Sequence, residues 1–590
     1  MCGICGIVNT DAEHQVLEAE LRNMIGLLRH RGPDGEGVHI GNRIGLGHTR
    51  LSIIDLAHGG QPMTNEDGSI WLTYNGEIFN FPELRRELIQ QGHTFRTNCD
   101  TEVVVHAYEE YGPDCVLKFN GMFSFALWDE RNETLFMARD RLGVKPLYYT
   151  MVGHSFIFAS EIKAILSHPS VTAEVREGAV PEYLFCTVLL EGQTMFKNIH
   201  SLPPGYTLSV QGTKLTAARY WSMKADAGGE RSLDAWKDET LSLLTDSVWK
   251  RRMSDIPFGS LLSGGLDSSL LTALAVSGGS DSRLRTFSME YGDNRDVSAS
   301  NSDTAYARLM AEHLGTDHRE FIFRTEDYRD MMEKVTWHME KPVELTTPSL
   351  YLLYREIKKE VSVVISGEGA DELFGGYFFF LNGDPSGQVS QFPWAPYYRE
   401  VSGLLDQAVG ERTGFRDKVE SSLRDSLRQF PSRDPLNRIL YLFMKYYLLE
   451  MLERQDKTSM ASGVEVRVPF LDYRIVERVI NLPSQYKLKD GSEKWFLKEI
   501  GKSILPSAIT DRKKKPFPFP VDPKSVIAQR QLASDLIRSG NSKISAYFDK
   551  RKTIDFLNKR GDYAGLDNLA VFRTSHALIA LELWHKTFGV

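Results

Sequence analysis

Cys2 directly follows the initiator methionine. Removal of Met1 would leave Cys2 with a free α-amine that titrates near ~8 and can take the thiol proton without a histidine. A thiolate made this way attacks amide carbonyls. Position alone favours the bland reading, an arbitrary cysteine in a short buried strand. With Cys5 it forms a C-x-x-C, which also reads as a redox pair or half a zinc site, but no second C-x-x-C and no H-x-x-x-H accompanies it. Arg50 stands at the edge of an apolar run and is suited to a bidentate carboxylate. Asn75 and Gly76 offer an amide and a backbone N–H to an oxyanion, or else form an ordinary hairpin turn. Asp100 precedes a helical pattern and reads equally as a simple N-cap. One cation and two anions (Glu77 and Asp100) around a thiolate would fit a free α-amino acid carrying a side-chain amide.

A second chemistry lies in the other half. The apolar run 258–262 leads straight into SGGLDSS at 263–269 and then into a helical pattern. Strand, glycine-rich turn and helix present backbone N–H groups and a helix N-terminus to phosphate oxygens. The ending of a Walker A loop is missing, and so is G-x-G-x-x-G. Ser263, Ser268 and Ser269 add hydroxyls, and Asp267 is placed to hold Mg²⁺ against phosphates. VISGEGADELFGGY at 364–377 repeats the logic of a buried strand followed by glycines and acids. The bland reading of both is a glycine turn with solvated carboxylates.

These residues need scaffolds of two kinds. Short apolar stretches at 5–8, 43–46, 70–74, 122–128, 134–138 and 156–159 predict strands, and the periodicity predicts helices over 15–28 and 102–111. That is an α+β domain over 2–205. A polar linker follows near 220–232. From 220 to 590 the rhythm changes: strands at 258–262, 284–289, 318–323 and 361–366 alternate with helices at 268–275, 305–313 and 349–358, predicting a doubly wound parallel sheet, and the chain beyond 401 is largely helical. The 590 residues carry 42% hydrophobic and 25% charged side chains, enough for sizeable cores. A net charge of −8 leaves no basic field for nucleic acid, and five cysteines cannot staple the chain. With no secretory leader and no long apolar run, a cytoplasmic protein away from membranes is expected.

MCGICGI at 1–7, HRGPDG at 30–35, GHTRLSIID at 47–55 and YNGE at 74–77 resemble the class II glutamine amidotransferases. ARDRLGVKPLY at 138–148 and ASEIK at 159–163 narrow the resemblance to the asparagine synthetase family. The SGGLDSS run is similar to the PP-loop of ATP pyrophosphatases, and SMASGVEVRVPFLD at 459–472 also matches the family. The resemblance implies an N-terminal αββα sandwich of the N-terminal nucleophile type and a PP-loop synthetase domain. It implies Cys2 as nucleophile and Asn75 with Gly76 as oxyanion hole. Arg50, Leu51, Ile53, Ile54, Glu77 and Asp100 would line the glutamine pocket. Cys5 would be structural. Leu262, Met289, Ser366 and Gly367 would join the loop residues around ATP, and Asp267 with Asp371 would hold Mg²⁺. Glu368 would orient or deprotonate the attacking amine, and Lys514 would stabilise the leaving pyrophosphate.

The reading is an ATP- and glutamine-dependent amide synthetase, with L-aspartate as the default acceptor and a dry internal channel for ammonia between its sites. A homodimer is expected from the resemblance. Two departures, at 340–350 and in the proline-rich stretch 515–520, keep open a tailoring amidotransferase that acts on another carboxylic acid. A glutamine or nucleotide sensor and a plain glutaminase are the alternatives from other classes. Both are disfavoured by the joint presence of Cys2, Asp267, Glu368 and Lys514.

Overall fold

The computed structural model describes residues 2–590 apart from 12–13, 187, 227–230, 278, 280–282, 293–302, 378–379, 381–400, 402, 515–522 and 564. Met1 and the proline-rich stretch therefore lie outside the described residues.

Among the described residues, the first half contains twelve strands. They are β1 (Gly3–Asn9), β2 (Gly35–Ile40), β3 (Ile44–Arg50), β4 (Met63–Thr64), β5 (Ile70–Ile78), β6 (Gly121–Asp129), β7 (Thr134–Arg139), β8 (Tyr148–Val152), β9 (Ser155–Ala159), β10 (His200–Ser201), β11 (Tyr206–Gln211) and β12 (Lys214–Arg219). They form two six-stranded antiparallel sheets, ordered β10-β8-β9-β1-β3-β2 and β12-β11-β7-β6-β5-β4. The sheets face each other across a core in which Ile4 and Leu46 pack with Ala126, Trp128 and Leu208. Helices Glu18–Gly26 and Asp100–Tyr111 cover the outer faces and bury Leu21, Met24, Val103 and Val104. This is the expected αββα sandwich.

The second half holds β13 (Phe258–Leu261), β14 (Arg285–Tyr291), β15 (Asp317–Phe323), β16 (Val363–Ile365) and β17 (Glu465–Arg467), all parallel in the order β15-β14-β13-β16-β17. Strand order reverses at β13, so the loops after β13 and β16 open side by side at the carboxyl ends of the strands. Helix Leu233–Lys250 starts the second half, with the Ser232 hydroxyl accepting from the Ala235 N–H at its N-cap. The halves share cores: Leu51, Ile53 and Phe79 pack in one cluster with Leu262 and Phe470.

Two of the alternatives left open by the sequence fall away. Asn75 and Gly76 do not form a turn. Strand β5 runs on to Ile78, with Asn75 opposite Ser124 and Gly76 opposite Phe123. A Cβ on residue 76 would lie 2.5 Å from the Met122 carbonyl oxygen, so glycine here serves a close strand approach. Asp100 is not an N-cap either. Its helix is capped at Cys99, and Asp100 turns inward from the first turn. Strand β17 carries no period-two signal of its own in three residues.

Candidate active sites

Cys2 enters the sandwich on a tightly held first strand. The Gly3 N–H donates to Thr49 Oγ1 at 3.1 Å and the Ile4 N–H to Ser160 Oγ at 3.0 Å, while Arg31 Nε donates to the Cys2 carbonyl at 3.1 Å. The Cys2 nitrogen lies 2.9 Å from Asn75 Oδ1. That bond fixes which way the Asn75 amide points, and Nδ2 is left buried with no hydrogen-bond partner. A buried donor without a partner costs about 1–3 kcal/mol. It is also what an oxyanion site needs before its ligand arrives. The Tyr74 N–H donates to Gln61 Oε1 and the Ile78 N–H to Asp100 Oδ2. Alternation along an antiparallel strand puts the Gly76 N–H on that same edge, between them.

Burial pushes the Cys2 thiol up, against a lowering pull from the Leu51 backbone and from Arg50. Cys5, three residues along one strand, faces the other side, where a Cβ on residue 47 would meet its sulfur. Burial raises its thiol strongly. Both cysteines are free thiols, so the C-x-x-C is not a disulfide. His48 is not a base for Cys2: burial pushes it down to about 3, and its Nδ1 meets Thr73 Oγ1.

The Arg50 guanidinium is aimed by backbone carbonyls. Nη1 donates to Leu56 O at 3.1 Å, and Nη2 donates to Asp55 O at 2.6 Å and Ile54 O at 3.3 Å. None of these partners neutralises its charge. The loop is pinned from the second half, where the Asp255 N–H donates to Ile53 O at 2.9 Å and Asp255 Oδ2 accepts from the Asp55 N–H. Asp100 accepts from the Tyr74 hydroxyl at 2.6 Å, and Glu77 lies near enough to feel its charge. Burial raises Asp100 to about 6. Burial, then the Asp100 and Glu465 charges, push Glu77 well above the carboxylate range. Two carboxylates held this way would gain charge stabilisation from an incoming ammonium.

In the second half, Gly264 turns at φ +70, and a Cβ there would lie 2.5 Å from the Ala307 nitrogen. Helix Leu266–Val276 has no side-chain cap at Gly265, so its first-turn N–H groups face the loop. Ser263 and Ser268 hold the turn through an Oγ–Oγ contact of 3.2 Å, and Ser269 Oγ is buried without a partner. Gly367 brings the second loop against the first: a Cβ on it would sit 3.1 Å from that of Asp267. Leu262, just past the end of β13, and Met289 on the neighbouring β14 are both buried, and the Leu262 N–H donates to Phe287 O at 2.8 Å.

Asp267 and Asp371 converge. Lys494 Nζ is 2.5 Å from Asp267 Oδ2 and 2.6 Å from Asp371 Oδ1. Asp267 Oδ1 is buried and unpartnered. Two carboxylates already gathered round one positive charge, with a spare oxygen, are a fitting donor set for a hard divalent cation. Lys514 also pairs with Asp371 and donates to Gly376 O at 2.9 Å, but it is more exposed than Lys494. Burial raises Asp371 while Lys494 and Lys514 hold it below its ordinary value. Glu368 is pushed up by burial, with Arg454 opposing.

Lys494 was not legible from sequence. It sits at φ +51, a left-handed position that costs a non-glycine residue about 1–3 kcal/mol. That conformation turns it out of the start of helix Trp495–Gly501 toward both aspartates. Arg512, within the basic run, donates to Gly264 O at 2.9 Å and covers the Tyr306 ring.

The asparagine synthase family model matches residues 239–586 and the glutamine amidotransferase domain model matches 1–221. The chain belongs to the glutamine-hydrolysing asparagine synthetase family, a family of ligases. It is 35% identical to asparagine synthetase [glutamine-hydrolyzing] 3 of Bacillus subtilis over 95% of this chain and 94% of that protein. It is 30% identical to asparagine synthetase 1 of the same organism over 99% and 96%. With asparagine synthetase 2 of Arabidopsis thaliana it shares 32% over 88% and 78%.

Proposed function

We propose that the chain hydrolyses glutamine in residues 2–205 and uses the ammonia in residues 220–590 to make L-asparagine from L-aspartate and ATP. One observation carries the reading. The Asn75 amide holds the Cys2 nitrogen and keeps a buried donor free, in the same chain where Asp267 and Asp371 meet on adjoining glycine loops.

In this mechanism the α-amine of processed Cys2 takes the thiol proton, and the sulfur adds to the glutamine amide carbon. Asn75 Nδ2 and the Gly76 N–H donate to the oxyanion. The amine returns the proton to the departing nitrogen, ammonia leaves, and water hydrolyses the thioester to glutamate. Arg50 binds the α-carboxylate, Glu77 and Asp100 bind the ammonium, and Leu51, Ile53 and Ile54 line the walls. At the second site the aspartate side-chain carboxylate attacks the α-phosphorus of ATP and pyrophosphate departs, leaving β-aspartyl-AMP. Ser263, Gly264, Gly265, Ser268, Ser269, Ser366 and Gly367 hold the phosphates and sugar, with Leu262 and Met289 beside the base. Asp267 and Asp371 would hold Mg²⁺, which neutralises charge on the leaving phosphates. Lys494 and Lys514 add positive charge there. Glu368, whose raised pKa suits a base, takes a proton from ammonia as the nitrogen attacks the acyl carbon and AMP leaves. The reading includes an internal passage for ammonia, a homodimer and a cytoplasmic setting. Among the described residues no helix is long and apolar enough to cross a membrane.

The test is pyrophosphate release with ATP, Mg²⁺, glutamine and a panel of carboxylic acids. Release with aspartate, with asparagine formed in equal amount, is expected. Release with another acid alone would make the chain a tailoring amidotransferase, and no release with any acid would leave a glutaminase or a sensor.

A further inference from the structure

One buried residue touches both sites, through its backbone on one side and its side chain on the other. Arg467, fully buried, closes strand β17. Its backbone carbonyl accepts the Ser366 N–H at 2.9 Å, where the nucleotide loop leaves β16. Its guanidinium reaches the other way. Nη2 lies 3.2 Å from Glu77 Oε1, the carboxylate assigned to the glutamine ammonium, and Nε is 2.5 Å from Glu465. Nη1 donates to the carbonyls of Arg251 and Met253. That stretch continues to Asp255, which pins the Arg50 loop, and then into β13 and the first nucleotide loop. The Arg467 fork is thus planar, charged and committed on all sides.

We infer that Arg467 is a positioning residue that couples glutamine binding to the geometry of the nucleotide loop. The inference rests on the function proposed above. Without glutamine, Arg467 is the cation bonded to both Glu77 and Glu465, with Asp100 close enough to repel Glu77. An arriving ammonium at Glu77 and Asp100 supplies a second positive charge. The share of Arg467 drawn by Glu77 then falls, and the side chain settles on Glu465 and the two carbonyls. Because the Arg467 carbonyl holds Ser366, this shift bears directly on Gly367 and Glu368. Coupling of this kind is reciprocal, so nucleotide at the loop changes the affinity for glutamine by the same factor.

The test compares Arg467→Lys with the wild-type full chain. Lysine keeps the charge and the backbone but loses the fork. Glutaminase kcat/KM is measured with and without ATP, Mg²⁺ and aspartate, and pyrophosphate release is measured separately with ammonia. In the wild type the nucleotide is expected to raise glutaminase kcat/KM by about 5-fold or more. In Arg467→Lys that ratio is expected to fall to near one, with the glutamine KM raised about tenfold and ammonia-driven release within about threefold of wild type. A raised KM with the nucleotide effect intact would reduce Arg467 to a structural role and overturn the inference, as would a wild type without any nucleotide effect. Should the variant not fold, hydrogen exchange on the Cys2→Ala chain decides. Saturating glutamine is expected to slow exchange at residues 364–369, and no change there overturns the coupling. A wild type that hydrolyses glutamine and releases pyrophosphate while the ratio survives in the variant sinks this inference alone. A wild type that does neither sinks the functional reading with it.

Discussion

The cysteine pocket and the nucleotide pocket are prepared for their ligands in different ways. Around Cys2 the donors are set by the antiparallel ladder: the Asn75 amide is fixed by one hydrogen bond and the Gly76 N–H by strand alternation. The nucleotide pocket instead pairs its charges with one another, with Lys494 shared by Asp267 and Asp371 and Lys514 on Asp371. The first site has rigid geometry and an unmet donor. On the proposed reading, the second has charges that would exchange partners as phosphate and metal bind. Substitutions in the first should therefore act on one chemical step, and substitutions in the second on binding and chemistry together.

The sharpest separation of the two regions comes from Cys2→Ala. Glutamine-driven synthesis is expected to fall by about 10⁴-fold or more, with ammonia-driven pyrophosphate release kept. A comparable loss with ammonia would show that the pockets are not separable. Lys494→Met tests the other side. Ammonia-driven release should drop about 10²–10³-fold while glutaminase turnover persists, and Lys514→Met should cost only about tenfold because that side chain is more exposed. If the two lysines changed places in this ranking, the assignment from sequence would be right and the buried bridge incidental. Asn75→Ala should lower glutaminase kcat about 10²-fold with little change in KM, the sign of a donor used only in the transition state.

The smallest expected effect is in pH. Asp100 is raised to about 6 by burial and interacts with Glu77. Below that pH the pair takes up a proton and loses charge, so glutamine kcat/KM should fall up to tenfold per unit as pH drops through about 6. Ammonia-driven release, corrected for the free-base fraction of ammonia, should lack this limb. A limb common to both assays would place the titrating group elsewhere.

Much of each site was legible because its chemistry is local. The glycine loop between strand and helix, the cysteine at position 2 and the paired acids after β16 are runs of a few residues whose types suit one task. Gly76 was legible as an oxyanion donor, but its sequence left a hairpin turn equally open, since an Asn-Gly pair carries the same local signal in a hairpin and in a strand forced close to its neighbour. Lys494 was missed because its sequence neighbours are ordinary, and only a left-handed backbone step aims it at two aspartates more than a hundred residues away. Arg467 sat in a recognised motif, but its tie to Glu77 depends on the packing of two halves nearly four hundred residues apart.

By itself, then, the amino-acid order determined the kinds of element and the inventory of reactive groups: periodicity and loop composition act over a turn of helix or a pair of strands. Which cation meets which carboxylate was decided only in the folded chain. Burial strengthens such pairs, and what lies buried depends on contacts made between the two halves.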